Sequence, residues 1–201
     1  MHKILSAALA LLAAASCATT EVTNTWKDPQ GTGAPLSKVL VVGISSQASN
    51  RRAFEDTFAQ ALTDAGVQGM PSYKLVPKDG QIPEDVLQKA VAEAGADGVL
   101  ITRMVGRDAD LVVTPSPLPP PYYGRRRYYY GYYTGMWAGY YEPSTVQQFK
   151  YIIAETTLFR AASPEPAWSA TTRNDEPRDV AKATAGFARA LIPAMRKDGL
   201  F

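Results

Sequence analysis

Few residues in this chain have side chains that do chemistry. The 201-residue chain holds one Cys, Cys17, and one His, His2. A disulfide framework and a Cys/His zinc cluster are therefore excluded within one chain. Serine or cysteine nucleophiles that need an imidazole base have only His2 to draw on. No Ser-x-x-Lys spacing, no Gly-x-x-x-x-Gly-Lys-Ser/Thr loop and no Gly-x-Gly-x-x-Gly pattern is present. The loop over residues 43–50 leads into a helix start, where an anion could sit. Ser49 or Asn50 is expected to cap that helix instead. Asp108 and Asp110 fall on one face of a strand, a spacing that suits a divalent cation or an acid/base pair. No Gly-rich loop or third acid is near them, which favours a solvated strand face. Glu155 lies in an apolar run, where a structural hydrogen bond to an Arg is favoured over catalysis.

The densest unusual chemistry lies in residues 115–141. Nine of the eleven tyrosines are here: Tyr122, Tyr123, Tyr128, Tyr129, Tyr130, Tyr132, Tyr133, Tyr140 and Tyr141, with Trp137 among them. Pro115, Pro117, Pro119, Pro120 and Pro121 lead in, and Arg125, Arg126 and Arg127 form the densest local charge. Dense proline disfavours helix and interior strand, so the segment is expected to be a long loop joining two adjacent strands and dispensable for the fold. Three readings stand. It is a low-complexity loop without a specific role. It is a partner-binding surface, because Tyr offers broad amphipathic area at low entropic cost. Or its arginines clamp phosphate while its aromatic faces stack on sugar or sit among lipid headgroups.

The amino terminus reads as an address. Met1-His2-Lys3 is a short basic start, and residues 4–15 are apolar except for Ser6. About twelve residues are too few for a spanning helix, which needs roughly 20, and match a secretory signal core. Ala14-Ala15-Ser16-Cys17 then resembles a bacterial lipobox. The resemblance implies cleavage before Cys17, diacylglycerol on its thiol and acylation of the new amine. The alternative is an ordinary secretory signal that leaves Cys17 as a free thiol, a liability in an oxidising compartment. Ala18 at the second position of the processed chain, rather than Asp, resembles outer-membrane sorting. Processing would also remove His2, so that the mature chain has neither a His nor a free thiol.

Composition suits a globular domain: 46% hydrophobic and 20% charged residues. Twenty-one basic against nineteen acidic side chains give a net charge of +2, too little for global capture of nucleic acid. Residues 17–37 read as a lipidated tether with a reach of roughly 70 Å. Within it, residues 22–26 form an edge strand on an alternative reading, and Trp26 is expected to be covered. Residues 38–44 are a β-branched run that suits a strand buried on both faces. A helix follows, with the stripe Phe54, Phe58, Ala61, Leu62 and Ala65. Residues 73–76 read as a short strand. A second helix opens at Pro83-Glu84-Asp85 and stops at Gly95. Residues 98–105, extending to 113, are a third strand. Residues 146–159 and 167–172 form a hairpin, and a closing helix over residues 179–197 should kink or divide at Pro193. This β-α-β-α-β-β-β-α order predicts an α/β fold: one domain over residues 38–201, with a single mixed parallel and antiparallel sheet and helices packed on it.

At this level the chain resembles bacterial outer-membrane lipoproteins of unknown function. The shared motifs are Trp26-Lys27-Asp28-Pro29, the Lys38-to-Ile44 run, Arg52-x-x-Glu55, Pro71-Ser72-Tyr73, Gly95-Ala96-Asp97-Gly98, the Tyr/Gly-rich insert, Glu155-Thr156, Trp168-Ser169 and Asp198-Gly199-Leu200. Its element order is distantly similar to the curli-secretion lipoprotein, the penicillin-binding-protein activator lipoprotein and the Tol-system amino-terminal domain. None of these motifs names a reaction. With neither His nor free thiol in the processed chain, the expectation is a non-enzymatic interaction or scaffolding lipoprotein on the periplasmic face of the outer membrane, with no cofactor beyond the lipid on Cys17, an envelope protein partner met through the insert, and no nucleic acid. A binder of glycan or anionic lipid through the Arg/Tyr-rich insert is the alternative.

Overall fold

The computed structural model describes residues 20–31, 33–107, 128–141, 151–163, 165–175 and 179–201. In chain order the elements are β1 (Thr20–Lys27), β2 (Lys38–Ile44), α1 (Ala48–Asp64), β3 (Gln68–Pro71), α2 (Glu84–Ala94), β4 (Gly98–Arg107), α3 (Tyr128–Tyr141), β5 (Tyr151–Arg160), β6 (Pro166–Asp175) and α4 (Val180–Lys197). The strands form one mixed sheet in the order β1-β6-β5-β4-β2-β3. β2 runs parallel to β3 and β4, while β4, β5, β6 and β1 pair antiparallel in turn. The α/β architecture expected from the element order is the one observed.

The sheet has a core on each face. On one, α1 and α4 place Phe54, Phe58, Leu62, Phe187, Leu191 and Met195 against Val39, Val41, Leu100, Leu158 and Trp168. On the other, α2 and α3 place Leu87, Ala90, Val91, Tyr133 and Trp137 against Leu40, Val42, Val99, Ile101 and Phe159. β2 and β4 are thus covered on both sides, which is why they read as unbroken apolar runs. α2 begins after Pro83 with Glu84 and Asp85 in its first turn and ends at Gly95, whose φ of 59° is the left-handed conformation glycine adopts without strain. The Asp179 side chain caps α4 by accepting from the Lys182 N–H. At the other end of that helix, the Trp168 indole donates to Asp198 at 2.8 Å.

Several local expectations are corrected. The strand after α1 is Gln68–Pro71, and Ser72–Lys74 is a turn of 3-10 helix rather than the start of a strand. The Tyr73 N–H points at the Glu55 carboxylate, which takes it out of any ladder. α1 starts after Gln47, so Ser49 and Asn50 lie inside it and neither caps it. The Ser45 hydroxyl instead accepts from the Gln47 N–H, and the Asn50 amide donates to the Gln47 side chain. α4 passes Pro193 undivided. Pro193 is exposed, so water can satisfy the carbonyl that proline leaves free. Residues 22–26 do form an edge strand, and the sheet takes in part of the segment read as a tether. Trp26 stays 41% exposed rather than covered.

Candidate functional site

The insert between β4 and β5 does join adjacent antiparallel strands, but its second half is not a loop. Residues 128–141 form α3, a helix without a charged residue. Tyr129, Tyr133 and Trp137 recur at i, i+4 and i+8 and are 8%, 1% and 2% exposed, sealed into the core beside α2. Tyr133 and Trp137 meet edge to face at 6.3 Å, and Tyr130 stacks on Tyr133 at 5.9 Å. The Tyr133 hydroxyl accepts from the Ile82 N–H at 2.7 Å. The Tyr132 ring lies 5.2 Å from Phe159, and its hydroxyl accepts from the Thr157 hydroxyl at 2.6 Å. Burial pushes the Tyr133 phenol up to about 12 and raises that of Tyr132 further, so both stay neutral and act as hydrogen-bonding anchors. The expectation that the insert is dispensable is therefore corrected. Its Tyr129, Tyr133 and Trp137 hold the second core together, and deleting them would open it.

The remaining insert residues divide clearly. Gly131 and Gly135 lie on the exposed side of α3, and a Cβ at either would meet open space. Tyr130 and Tyr132 are half-buried. Tyr122, Tyr123, Arg125, Arg126 and Arg127 lie outside the described residues, as do Cys17, Asp108 and Asp110. Tyr128, Tyr140 and Tyr141 belong to the α3 backbone. Beside α3, Arg103 and Glu155 face each other across β4 and β5 at 2.7 Å, the structural ion pair that the apolar context of Glu155 predicts.

Sequence reasoning missed a second polar cluster, at the carboxyl end of β2. Glu55 is fully buried, and its carboxylate accepts from the Gly43 N–H at 3.0 Å, Arg51 Nε at 2.9 Å, the Ser72 hydroxyl at 2.8 Å and the Tyr73 N–H at 2.8 Å. Arg51, 2% exposed, also donates to the Lys78 and Val76 carbonyls. In open α/β sheets ligands favour the crevice outside the carboxyl ends of the strands. Here, at the carboxyl ends of β2 and β3, four donors of the chain itself take up the Glu55 carboxylate. The cluster ties β2, α1 and the loop after β3 together. The signal was legible: Arg51 and Glu55 stand one turn apart on the same line as Phe58 and Leu62.

Asp97 plays a similar part at the opposite end of the sheet. Burial acts to raise its carboxyl, but the hydroxyl and amide of Ser37 and the Lys38 N–H outweigh this and hold it below its ordinary value. A shallow groove along α1, β3 and α4 is lined by Asp56, Asp64, Lys74, Lys182 and Arg189, charges of both signs. The Tyr73 hydroxyl donates to Asp56 there, which raises its phenol. Among the described residues no group of three His, Cys, Asp or Glu side chains is placed to hold a metal ion, and no helix is long and apolar enough to cross a membrane.

No family model matches this chain, and no curated protein matches it. Among solved structures it is similar to two PelC dodecamers from Paraburkholderia phytofirmans. A leucine-to-methionine variant is 12% identical, with a TM-score of 0.46, over 85% of this chain and 96% of that one. The second is 14% identical, with a TM-score of 0.45, over 87% and 96% of the respective chains.

Proposed function

We propose that this chain is a non-enzymatic cell-envelope lipoprotein. It is held by a diacylated Cys17 at the periplasmic face of the outer membrane and acts there as an interaction or scaffolding module for an envelope protein. The observation that carries the reading is the run of basic start, twelve-residue apolar core, Ala14-Ala15-Ser16 and the sole Cys. Acyl chains contribute roughly 0.8 kcal/mol per buried CH₂, so several make the anchor effectively permanent. Anchoring raises the effective concentration of the domain for partners in the same envelope. The saturated state of the Glu55 cluster supports a structural rather than catalytic use of the most deeply buried charges. Contact with a partner falls to the insert outside the three buried aromatics. The test is Cys17→Ala in cells. The chain should move from the membrane fraction to the soluble one, and a variant that stays with the membrane overturns the reading.

A second reading, a binder of glycan or anionic lipid, is favoured by the run of Arg125, Arg126 and Arg127 directly into an uncharged aromatic helix. Replacing the three arginines by Ala should then weaken vesicle or lipopolysaccharide binding in a salt-dependent way, and binding that ignores both salt and substitution contradicts it.

A further inference from the structure

We infer that the sheet edge with no further strand among the described residues, β1 with Trp26, lies along the headgroup layer of the membrane that holds Cys17. The inference rests on the acylation proposed above and adds an orientation to it. A tether over residues 17–37 would let the domain drift roughly 70 Å from the lipid. The structure removes most of that length. Thr20 already pairs with Asn174 in the sheet, and the buried Asn174 amide donates to the Thr20 hydroxyl at 3.0 Å. Only Ala18 and Thr19 separate that fixed point from Cys17, a span of about 10 Å when fully extended. The beginning of β1 is therefore confined to the surface of the bilayer.

The rest of β1 is built for such a place. Its last five residues, from Thr23 to Lys27, are all exposed, on both faces of the strand. Trp26, 41% exposed, is the one exposed large hydrophobic side chain among the described residues. Tryptophan pairs an apolar ring with an N–H donor and is enriched where one end is apolar and the other wet. Lys27 adds a positive charge beside it, and the acid on this edge, Glu21, is paired with Arg173 at 3.2 Å. Trp26 stands roughly 20 Å along the strand from Thr20, so it reaches the headgroups when β1 lies flat on the surface. A second copy adding a strand here is disfavoured. The register of β1 shifts between Val22 and Asn24, and such a bulge disrupts the ladder a further strand would need. A headgroup layer needs no register.

The single Cys makes a direct test possible. The chain from Cys17 onward is coupled through its thiol to a maleimide phospholipid and placed in phosphatidylcholine vesicles, with or without bromine near the headgroup end of one acyl chain. Tryptophan emission is then compared. Trp137 and Trp168 are 2% and 0% exposed and supply a background that bromine does not reach. Bromolipid should quench the emission of the parent chain, and the quenching should be lost in Trp26→Phe. Equal emission in both vesicles overturns the inference. So does a blue shift without quenching that grows with protein density, because a second copy then covers Trp26. Coupling bypasses acylation in the cell, so failure here is distinguishable from failure of the Cys17→Ala test.

Discussion

The two edges of the sheet are finished in different ways. β3 is four residues long, ends in Pro71 and is backed by α1 so closely that a Cβ on Gly69 would stand 2.2 Å from the Ala59 carbonyl oxygen. Short length and proline are recognised protections of an edge. The neighbouring Glu55 cluster pins the loop that follows. β1 is twice as long, exposed over its second half, and shows a Trp. One edge is closed by the chain itself. The other has no further strand on it among the described residues, and it is the edge that follows Cys17 in sequence. Exposure at β1 is thus a local feature of the sheet and not a sign of a loosely built domain.

The contrast can be broken most forcefully at the closed edge. Glu55→Ala strands the Arg51 guanidinium in the core with four donors unanswered, and should cost about 3–5 kcal/mol in chemical denaturation. Gly69→Ala pushes β3 against the α1 backbone and should cost about 1–3 kcal/mol or more by the same measurement. Removing the Tyr133 hydroxyl with Phe leaves the buried Ile82 N–H unanswered, for about 1–3 kcal/mol. The same phenol gives a pH signature. Its folded value is raised, so the stability it contributes is whole below about 10, the unfolded value. That stability is lost as pH climbs toward about 12. Phenolate absorbance that rises together with loss of near-ultraviolet circular dichroism is the expected result. At the open edge the effect should nearly vanish: Trp26→Ala in the free protein should stay within about 0.5 kcal/mol of the parent. A large loss there would mean that Trp26 holds the fold, and the two edges would no longer differ in kind.

What the sequence displayed followed burial on two faces and local capping. β2 and the first part of β4 were legible as apolar runs, α2 through Pro83 and Gly95, and the β5–β6 hairpin through its β-formers. β3 was not legible, because Gln68-Gly69-Met70-Pro71 has turn chemistry and becomes a strand only through the close approach of α1 and pairing with β2. Residues 73–76 have strand composition, but the bond from the Tyr73 N–H to Glu55 holds their start in a turn. α3 was hidden by its own richness. The prolines of residues 115–121 suggested a loop for the whole insert, while the spacing of Tyr129, Tyr133 and Trp137, one turn apart, already marked a buried helical face. Glu155 was legible as a half-buried structural acid because its strand is otherwise apolar. The Arg51–Glu55 pair was missed because the buried face of α1 was read from its apolar residues alone, Phe54, Phe58, Ala61, Leu62 and Ala65.

Everything that places this domain at a membrane follows from what Cys17 carries, and intact mass measurement of the processed chain reads it directly. The expected result is a chain that begins at Cys17 and bears a diacylglycerol thioether and an acylated amine. A chain with a free Cys17 thiol, or with residues 1–16 still attached, would contradict it.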